Sequence, residues 1–203
     1  MKVPKIVNGK HLYGIFNSRP NRFIAKCFIP EVGLVEAFMP NPGRLNELLI
    51  QGSTLLLEKP DVSGERKTKY TVCGVYKNDY LIGLNTLRTN DIAEFLLKGR
   101  LIPALKNVEL LRREVPYNRS RFDFEVLVNK ERTFLEVKSV TLSANKVAMF
   151  PDAVTERGRR HVEHLGKMME RGINTMVKEH TLSLVEVSMK EDGRMVNIMV
   201  KGH

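Results

Sequence analysis

Short apolar segments separated by turn-forming residues dominate the first eighty or so positions of the chain. Their alternation of apolar and polar residues, with many β-branched and aromatic side chains, predicts strands. The predicted strands cover residues 11–17, 22–28, 32–39, 54–58, 70–76 and 80–84. Pro40-Asn41-Pro42-Gly43 is a strong turn signal, and residues 62–69 read as a polar, basic loop. So many short strands with so little helix predict a small barrel or sandwich.

The pattern changes after residue 84, where helical periodicity joins the strand signals. Residues 91–99 predict a helix that Asn90 or Asp91 caps and Gly99 ends. A second helix is predicted at 153–171, and strands at 109–117, 122–128, 133–141, 182–189 and 195–200, the last two as a hairpin. We therefore predict two domains, residues 1–83 and residues 84–203.

Charge and composition narrow the class of partner. The 203 residues include 33 Lys and Arg against 23 Asp and Glu, a formal net charge of +10, which favours polyanions such as nucleic acid. The longest stretch without a charged residue, 48–57, is too short to span a membrane, and no secretory leader opens the chain. Cys27 and Cys73 form no metal-binding pattern and fit a reducing compartment. We expect a cytoplasmic protein without a membrane partner.

Two neighbouring strands of the second domain carry charged residues in alternating positions. Alternation puts Asp123 and Glu125 on one face of their strand, opposite the intervening apolar residues, and puts Glu136 and Lys138 on one face of the next. A four-residue loop at 129–132 would set Asp123 across from Lys138 and Glu125 across from Glu136. Asp123 and Glu136 would then be diagonal neighbours, about 7–8 Å apart at the backbone.

Crowded carboxylates on one face of a sheet repel each other, and a divalent cation relieves that repulsion. Mg²⁺ or Mn²⁺ between Asp123 and Glu136 could activate a water molecule and neutralise the charge that develops on a phosphodiester. Lys138 could orient that water or stabilise the transition state. The alternative is structural, because Asp123 and Lys138 could form an ordinary cross-strand ion pair.

Basic residues recur in three other places. In the predicted helix 153–171, Arg157, Arg160 and His161 fall on one face, which could hold phosphates or could simply be solvated. In the first domain, Arg and aromatic residues at 19–23 suit phosphate contacts and stacking on a single strand, as does the turn at 41–45. The candidate nucleic-acid contacts are Arg19, Arg22, Asn41, Arg44, Arg121, Arg157, Arg160 and His161.

Together these segments resemble the sugar fermentation stimulation protein family. The matching stretches are Arg22-Phe23-Ile24-Ala25, Pro40-Asn41-Pro42-Gly43-Arg44-Leu45, Glu47-Leu48-Leu49, Asn85-Thr86-Leu87, Ser120-Arg121-Phe122-Asp123-Phe124, Glu136-Val137-Lys138-Ser139-Val140-Thr141-Leu142 and Phe150-Pro151-Asp152-Ala153-Val154-Thr155-Glu156-Arg157-Gly158. They extend over about residues 10–172 in the expected order, and the last of them is long and specific.

The resemblance implies a fold and a site. The fold would be α/β (α+β overall), with a small OB-like β-barrel followed by a mixed-sheet domain similar to the PD-(D/E)xK nucleases. In that pattern Asp123 and Glu136 match the metal carboxylates, Lys138 matches the catalytic lysine, and Glu94 matches a position that often supplies a further acid. The family is described as DNA-binding. Glu125 departs from the apolar residue usual after Asp-Phe, and the chain after Gly172 departs from the family's tail.

Three hypotheses remain at this point. The first is a DNA-binding protein with a Mg²⁺-dependent nuclease site, which would also require Mg²⁺ or Mn²⁺ as cofactor. The second is a non-catalytic regulator of sugar-metabolism genes that binds nucleic acid. The third is an RNA-binding factor that uses mainly the barrel. The resemblance favours DNA over RNA as partner, and the oligomeric state stays open.

Overall fold

The computed structural model describes residues 10–60, 67–117 and 120–141, together with the short segments 143–144, 147–148, 175–176, 185–189 and 195–200. The chain divides into two compact units. One unit comprises Val3–Arg88 and Val185–Met199, and the other comprises Met1–Lys2, Thr89–Leu184 and Val200–His203. Within the described residues, no helix has both the length and the apolar character needed to cross a bilayer. The predicted domain boundary near residue 84 stays a prediction.

The first unit contains a barrel of antiparallel strands closed by one parallel pairing. Its strands are β1 (Lys10–Asn21), β2 (Ile24–Ile29), β3 (Gly33–Phe38), β4 (Thr54–Lys59), β5 (Tyr70–Lys77) and β6 (Tyr80–Gly83). The sheet order is β3-β2-β1-β4-β5-β6, and β3 also pairs with β5 in parallel. This closes a five-stranded barrel with the connectivity of an OB-fold. All six strands predicted from the sequence are confirmed, and β1 extends four residues beyond its predicted end.

Alternation along the strands builds the core of this barrel. In β2 the side chains of Ala25, Cys27 and Ile29 are buried, whereas Phe28 between them is exposed. Each fully buried leucine of β4, such as Leu55 or Leu57, stabilises the fold by roughly 1.5–3 kcal/mol relative to an exposed one. The core of the barrel is therefore held by ordinary apolar packing.

The second unit places a helix against a mixed sheet. Its described elements are α1 (Thr89–Lys98), β7 (Glu109–Tyr117), β8 (Ser120–Val128), β9 (Glu131–Leu135), β10 (Ser143–Ala144), β11 (Val147–Ala148) and β12 (Thr175–Met176). The main sheet has the order β12-β9-β8-β7, with β12 parallel to β9 and the other pairs antiparallel. Ala93 and Leu97 of α1 pack with Phe124, Val126 and Leu135 in one apolar cluster.

Three other predictions have different outcomes. The strands β13 (Val185–Met189) and β14 (Met195–Val200) form a two-stranded sheet where the sequence predicts a hairpin. The predicted helix at 153–171 lies outside the described residues. The strand predicted at 133–141 is wrong at its end, because β9 stops at Leu135.

The predicted register between β8 and β9 is also wrong. The observed pairs run from Val128 opposite Glu131 to Phe124 opposite Leu135, so the connection is a two-residue turn at 129–130 rather than a four-residue loop. Both turn residues are left-handed, with φ of 51° and 69°. That conformation matches the right-handed twist of the flanking strands and favours the shorter loop. The ladder ends with Phe124 opposite Leu135, so the predicted pairing of Asp123 with Lys138 is not formed.

Candidate functional site

Asp123 connects the β8–β9 hairpin to the start of α1. Its Oδ2 atom accepts a hydrogen bond from the backbone N–H of Val137 at 2.7 Å, and its Oδ1 atom accepts one from Nδ2 of Asn90 at 2.8 Å. If β9 continued, the Val137 N–H would donate to a backbone carbonyl of the neighbouring strand. Here it donates to the Asp123 carboxylate instead. Because a carboxylate offers about four lone-pair sites, these two bonds leave it able to bind a cation as well.

Glu136 and Lys138 lie on the segment that Asp123 holds. The Lys138 ammonium donates to the Glu136 carboxylate in a close ion pair. The Glu136 side chain is largely buried, at 11% exposure, whereas that of Lys138 is 35% exposed. The sequence placed Lys138 across from Asp123, but the ion pair that the structure forms is with Glu136, two residues away on the same segment. The structure therefore gathers the three predicted residues around one end of the hairpin.

The predicted shared face of Asp123 and Glu125 is wrong. Phe122 packs on Phe134, with ring centroids 4.9 Å apart, and Phe134 is the residue directly opposite Glu125. Directly opposed residues lie on the same face of a sheet, so Phe122 shares the face of Glu125. Asp123, in contrast, reaches Asn90 on α1.

The reason lies in the neighbouring strand. Phe124 pairs with Arg113 and Phe122 pairs with Val115, which leaves Glu114 across from Asp123. Glu114 has a φ of 53°, a left-handed conformation that interrupts the regular pleat of β7. Alternation in β8 breaks at this point.

Glu125 has a structural environment of its own. It is 4% exposed, and its carboxylate binds the guanidinium groups of Arg112 and, at 3.6 Å, Arg132. Burial of a carboxylate is costly unless cations pair with it, as these two arginines do. Glu125 is thus neutralised by arginines on the two flanking strands and is not a companion of Asp123.

Glu94, the position that could supply a further acid, is engaged by cations. Its carboxylate accepts hydrogen bonds from Lys98 Nζ at 2.5 Å and Arg113 Nη1 at 2.6 Å, and Arg113 also binds Asp91. The hydrogen bond from Lys98, followed by that from Arg113, lowers the pKa of Glu94. The structure does not bring Glu94 together with Asp123 and Glu136. Over the described parts of the chain, no three His, Cys, Asp or Glu side chains form a metal-binding group.

The predicted nucleic-acid contacts fall into separate groups. Arg22 and Arg44 are exposed, and so is Arg121, which pairs with Glu114 at 3.4 Å. Arg19 and Asn41 instead direct their polar atoms into the protein, where they bind backbone groups. Arg157, Arg160 and His161 lie outside the described residues.

Asn90 is a site residue that the sequence did not reveal. It was interpreted as a possible helix cap, and its bond to Asp123 joins residues 33 positions apart. No local sequence pattern predicts such a contact, because it depends on how α1 packs against the sheet.

A five-stranded OB barrel followed by a mixed sheet with a carboxylate–lysine hairpin end defines an α+β protein of the OB-plus-mixed-sheet type. Residues 18–84 match the family described as the SfsA N-terminal OB domain, and residues 87–186 match the sugar fermentation stimulation protein RE domain. The chain belongs to the sugar fermentation stimulation protein family, as its motifs indicated.

Individual relatives agree with this assignment. A sugar fermentation stimulation protein homolog of Clostridium beijerinckii is 41% identical over 87% of this chain and 74% of its own length. A homolog of Methanothermobacter thermautotrophicus is 36% identical over 82% of this chain and 68% of its own. The solved structure of Pyrococcus furiosus SfsA in complex with Ca²⁺ is similar with a TM-score of 0.70, at 28% identity, covering 86% of this chain and 73% of that one. The predicted fold, an OB barrel followed by a mixed-sheet domain, is confirmed.

Proposed function

We propose that this protein binds nucleic acid, DNA in preference to RNA, and hydrolyses phosphodiester bonds with a divalent cation held by Asp123 and Glu136. The observation that carries the proposal is the bond from Val137 N–H to Asp123, because it fixes one carboxylate beside the segment that bears Glu136 and Lys138. The Ca²⁺ complex of the Pyrococcus furiosus family member supports a divalent cation in this fold.

The donor set fits Mg²⁺ or Mn²⁺. Mg²⁺ takes oxygen ligands, usually one or two carboxylates with several waters, and the two carboxylates supply that set. Asp123 keeps lone pairs beyond those that Val137 and Asn90 occupy. When bound, such a cation supplies an activated water and neutralises developing negative charge.

Lys138 supplies the remaining function. Its ammonium is partly exposed and is held by Glu136, so it is oriented without being buried. A lysine in this position stabilises negative charge on the reacting phosphate or orients the attacking water. It acts on the substrate rather than on the cation, and its removal should therefore separate cleavage from metal binding.

A second function has its own observation. Glu94 is bound by Lys98 and Arg113 instead of facing Asp123, which favours a reduced site that binds nucleic acid without cleaving it. In that case the protein is a regulator or an RNA-binding factor. In either form we propose the cytoplasm as its compartment, because both cysteines are buried free thiols.

The test compares Asp123→Asn, Lys138→Ala and the exposed control Glu109→Gln. Calorimetric titration with Mg²⁺ and Mn²⁺, and cleavage of labelled single-stranded DNA, duplex DNA and RNA, are measured for each protein. We expect Asp123→Asn to lose cation binding and cleavage, and Lys138→Ala to lose cleavage alone. Glu109→Gln should match wild type. Wild type that binds nucleic acid but neither binds a cation nor cleaves would establish the non-catalytic alternative.

A further inference from the structure

Arg19 of β1 holds two loops of the barrel together. Its Nη1 atom donates to the carbonyl oxygens of Gly43 at 2.6 Å and Arg44 at 2.9 Å. Its Nη2 atom donates to the carbonyl oxygens of Arg22 at 2.8 Å and Asn41 at 2.6 Å. One guanidinium therefore joins the β1–β2 hairpin turn to the segment 41–44. We call this arrangement the Arg19 clamp.

The segment 41–44 is fixed from other directions as well. Asn41 is buried, and its Oδ1 atom accepts a hydrogen bond from the backbone N–H of Gly43 at 3.0 Å. The Thr86 hydroxyl donates to the carbonyl of Pro40. Leu45 is fully buried and adopts a left-handed φ of 56°, which sets the direction in which the chain leaves the turn. Loops are usually the variable parts of a barrel, so this density of contacts indicates a surface kept in one shape.

The clamp displays an exposed aromatic ring with a guanidinium beside it. Phe23 is 49% exposed at the hairpin tip, and the guanidinium carbon of Arg22 lies 5.7 Å from its ring centroid. Arg44 is exposed on the other clamped segment. The backbone N–H of Phe23 is fixed by Oδ1 of Asn21 at 2.9 Å. We call Arg22, Phe23 and Arg44 the Arg–Phe–Arg surface.

We propose that the Arg–Phe–Arg surface binds single-stranded nucleic acid, with an unpaired base stacked on Phe23 and phosphates bound by Arg22 and Arg44. The proposal rests on the nucleic-acid part of the proposed function and is independent of the metal site. In a duplex both faces of each base are covered by neighbouring pairs, so an exposed ring can stack only on an unpaired base. Guanidinium groups bind phosphate oxygens through paired N–H donors.

Charge complementarity supports this partner. Residues 1–83 contain twelve Lys and Arg against seven Asp and Glu, so a polyanion is attracted to this part of the chain. Arg19 then has a role that differs from the contact predicted from the sequence. It is a positioning residue, because its donors bind backbone carbonyls. It acts on the bound nucleic acid only through the two loops that it joins.

The experiment measures binding of a labelled oligo(dT) strand and of a blunt-ended, fully paired duplex to the full chain, in EDTA so that no cleavage occurs. Phe23→Ala is compared with Tyr80→Ala, which removes another ring of the same barrel that is 52% exposed. We expect Phe23→Ala to weaken oligo(dT) binding about 5- to 100-fold, the range for loss of one stacked base, with duplex binding unchanged. Tyr80→Ala should bind both probes like wild type.

Salt dependence and a double-variant cycle distinguish contact from positioning. Arg22→Gln and Arg44→Gln should each lower the log–log salt slope for oligo(dT) by about 0.7, whereas Phe23→Ala should leave it unchanged. Arg19→Lys should weaken binding, and combining it with Phe23→Ala should weaken binding by less than the sum of the two single losses, because both act through one surface. Additive losses would assign Arg19 a merely structural role.

Failure of this proposal is distinguishable from failure of the proposed function. If Phe23→Ala binds oligo(dT) like wild type, or loses duplex and single-strand affinity equally, the single-strand surface is overturned. Wild type that binds but never cleaves removes only the metal-dependent reaction. Wild type that binds neither probe removes both proposals.

Discussion

In each unit a charged side chain links separate segments of the chain, but the barrel uses a cation and the second unit uses an anion. Arg19 donates to four backbone carbonyls, whereas Asp123 accepts from the Val137 amide and the Asn90 side chain. A guanidinium has donors but no acceptor, and Arg19 uses its Nη donors on backbone carbonyls. A ligand at the Arg19 clamp therefore has to be bound by the residues around Arg19. A carboxylate keeps lone pairs, so Asp123 can both link segments and bind a cation. In the barrel we therefore expect the neighbours of Arg19 to bind the ligand. In the β8–β9 hairpin we expect Asp123 itself to bind it.

The largest expected effect comes from removing the Arg19 link. Arg19→Met leaves four carbonyls without their donor, and we expect it to lower the free energy of unfolding by about 2–4 kcal/mol. Asp123→Asn keeps an acceptor for Val137, and its loss of stability should stay below about 1 kcal/mol. Urea denaturation of the two variants measures the difference. Equal losses would mean that the two links are structurally equivalent, which contradicts the comparison.

Alkaline pH should weaken the barrel next most strongly. Burial raises the pKa of Cys27 to about 11, and burial, with a smaller contribution from Glu58, raises that of Cys73 to about 12. Both thiols stay protonated in the fold while the unfolded chain ionises above pH 9, so stability is complete below pH 9 and falls as the pH rises toward these folded values. At pH 10 each thiol should cost about 1.4 kcal/mol.

The measurement is the free energy of unfolding from pH 8 to 10 for wild type, Cys27→Ala and Cys73→Ala. Each substitution should reduce the slope of the free energy of unfolding against pH. A constant shift of the whole curve caused by loss of the side chain does not affect the slope. Identical slopes in all three proteins would assign the alkaline loss to other groups.

Replacing Glu125 should have a smaller effect. Glu125→Leu removes a buried carboxylate, and its partner Arg112, whose side chain is 60% exposed, can turn to water. We expect a change in stability within about 1 kcal/mol and an unchanged cation affinity, because Glu125 does not face Asp123. Calorimetry with Mg²⁺ and thermal melting test both parts. A weaker cation affinity would make Glu125 part of the site.

The smallest effect is expected at Glu94. Its pKa is lowered by Lys98 and Arg113, so its contribution is present above the unfolded pKa and is lost as the pH falls through the folded one. Glu94→Gln should cost about 0.5 kcal/mol at neutral pH, as is typical of exposed ion pairs, and the difference from wild type should vanish in acid. Stability measured from pH 7 down to pH 2 tests this. A difference that persists in strong acid would indicate a packing effect.

Much of the barrel could be predicted from the sequence because each of its strands has one face in the core. The order of apolar and polar residues then determines which side chains point inward. The shared face of Glu136 and Lys138 was predicted from the same alternation.

The features that could not be predicted from the sequence depend on contacts between residues far apart in the chain. A turn of two residues rather than four shifts the β8–β9 register by two, so that Leu135 pairs with Phe124 and the strand ends there. The break in alternation at Asp123 follows from the left-handed Glu114 on another strand. Arg19 resembles an exposed cation in the sequence, since its carbonyl partners lie up to 25 positions away.

Closure of the barrel also constrains how the chain folds. The parallel pairing joins Ala37 to Tyr70, thirty-three positions apart, whereas β1, β2 and β3 pair through short hairpins. Local hairpins form early, because little chain entropy is lost in closing them, whereas the long-range pairings of β1 with β4 and of β3 with β5 form late. Until they form, the strands concerned present unpaired edges to other chains. The pairings that complete the barrel therefore also reduce the exposure of the nascent protein to edge-to-edge aggregation.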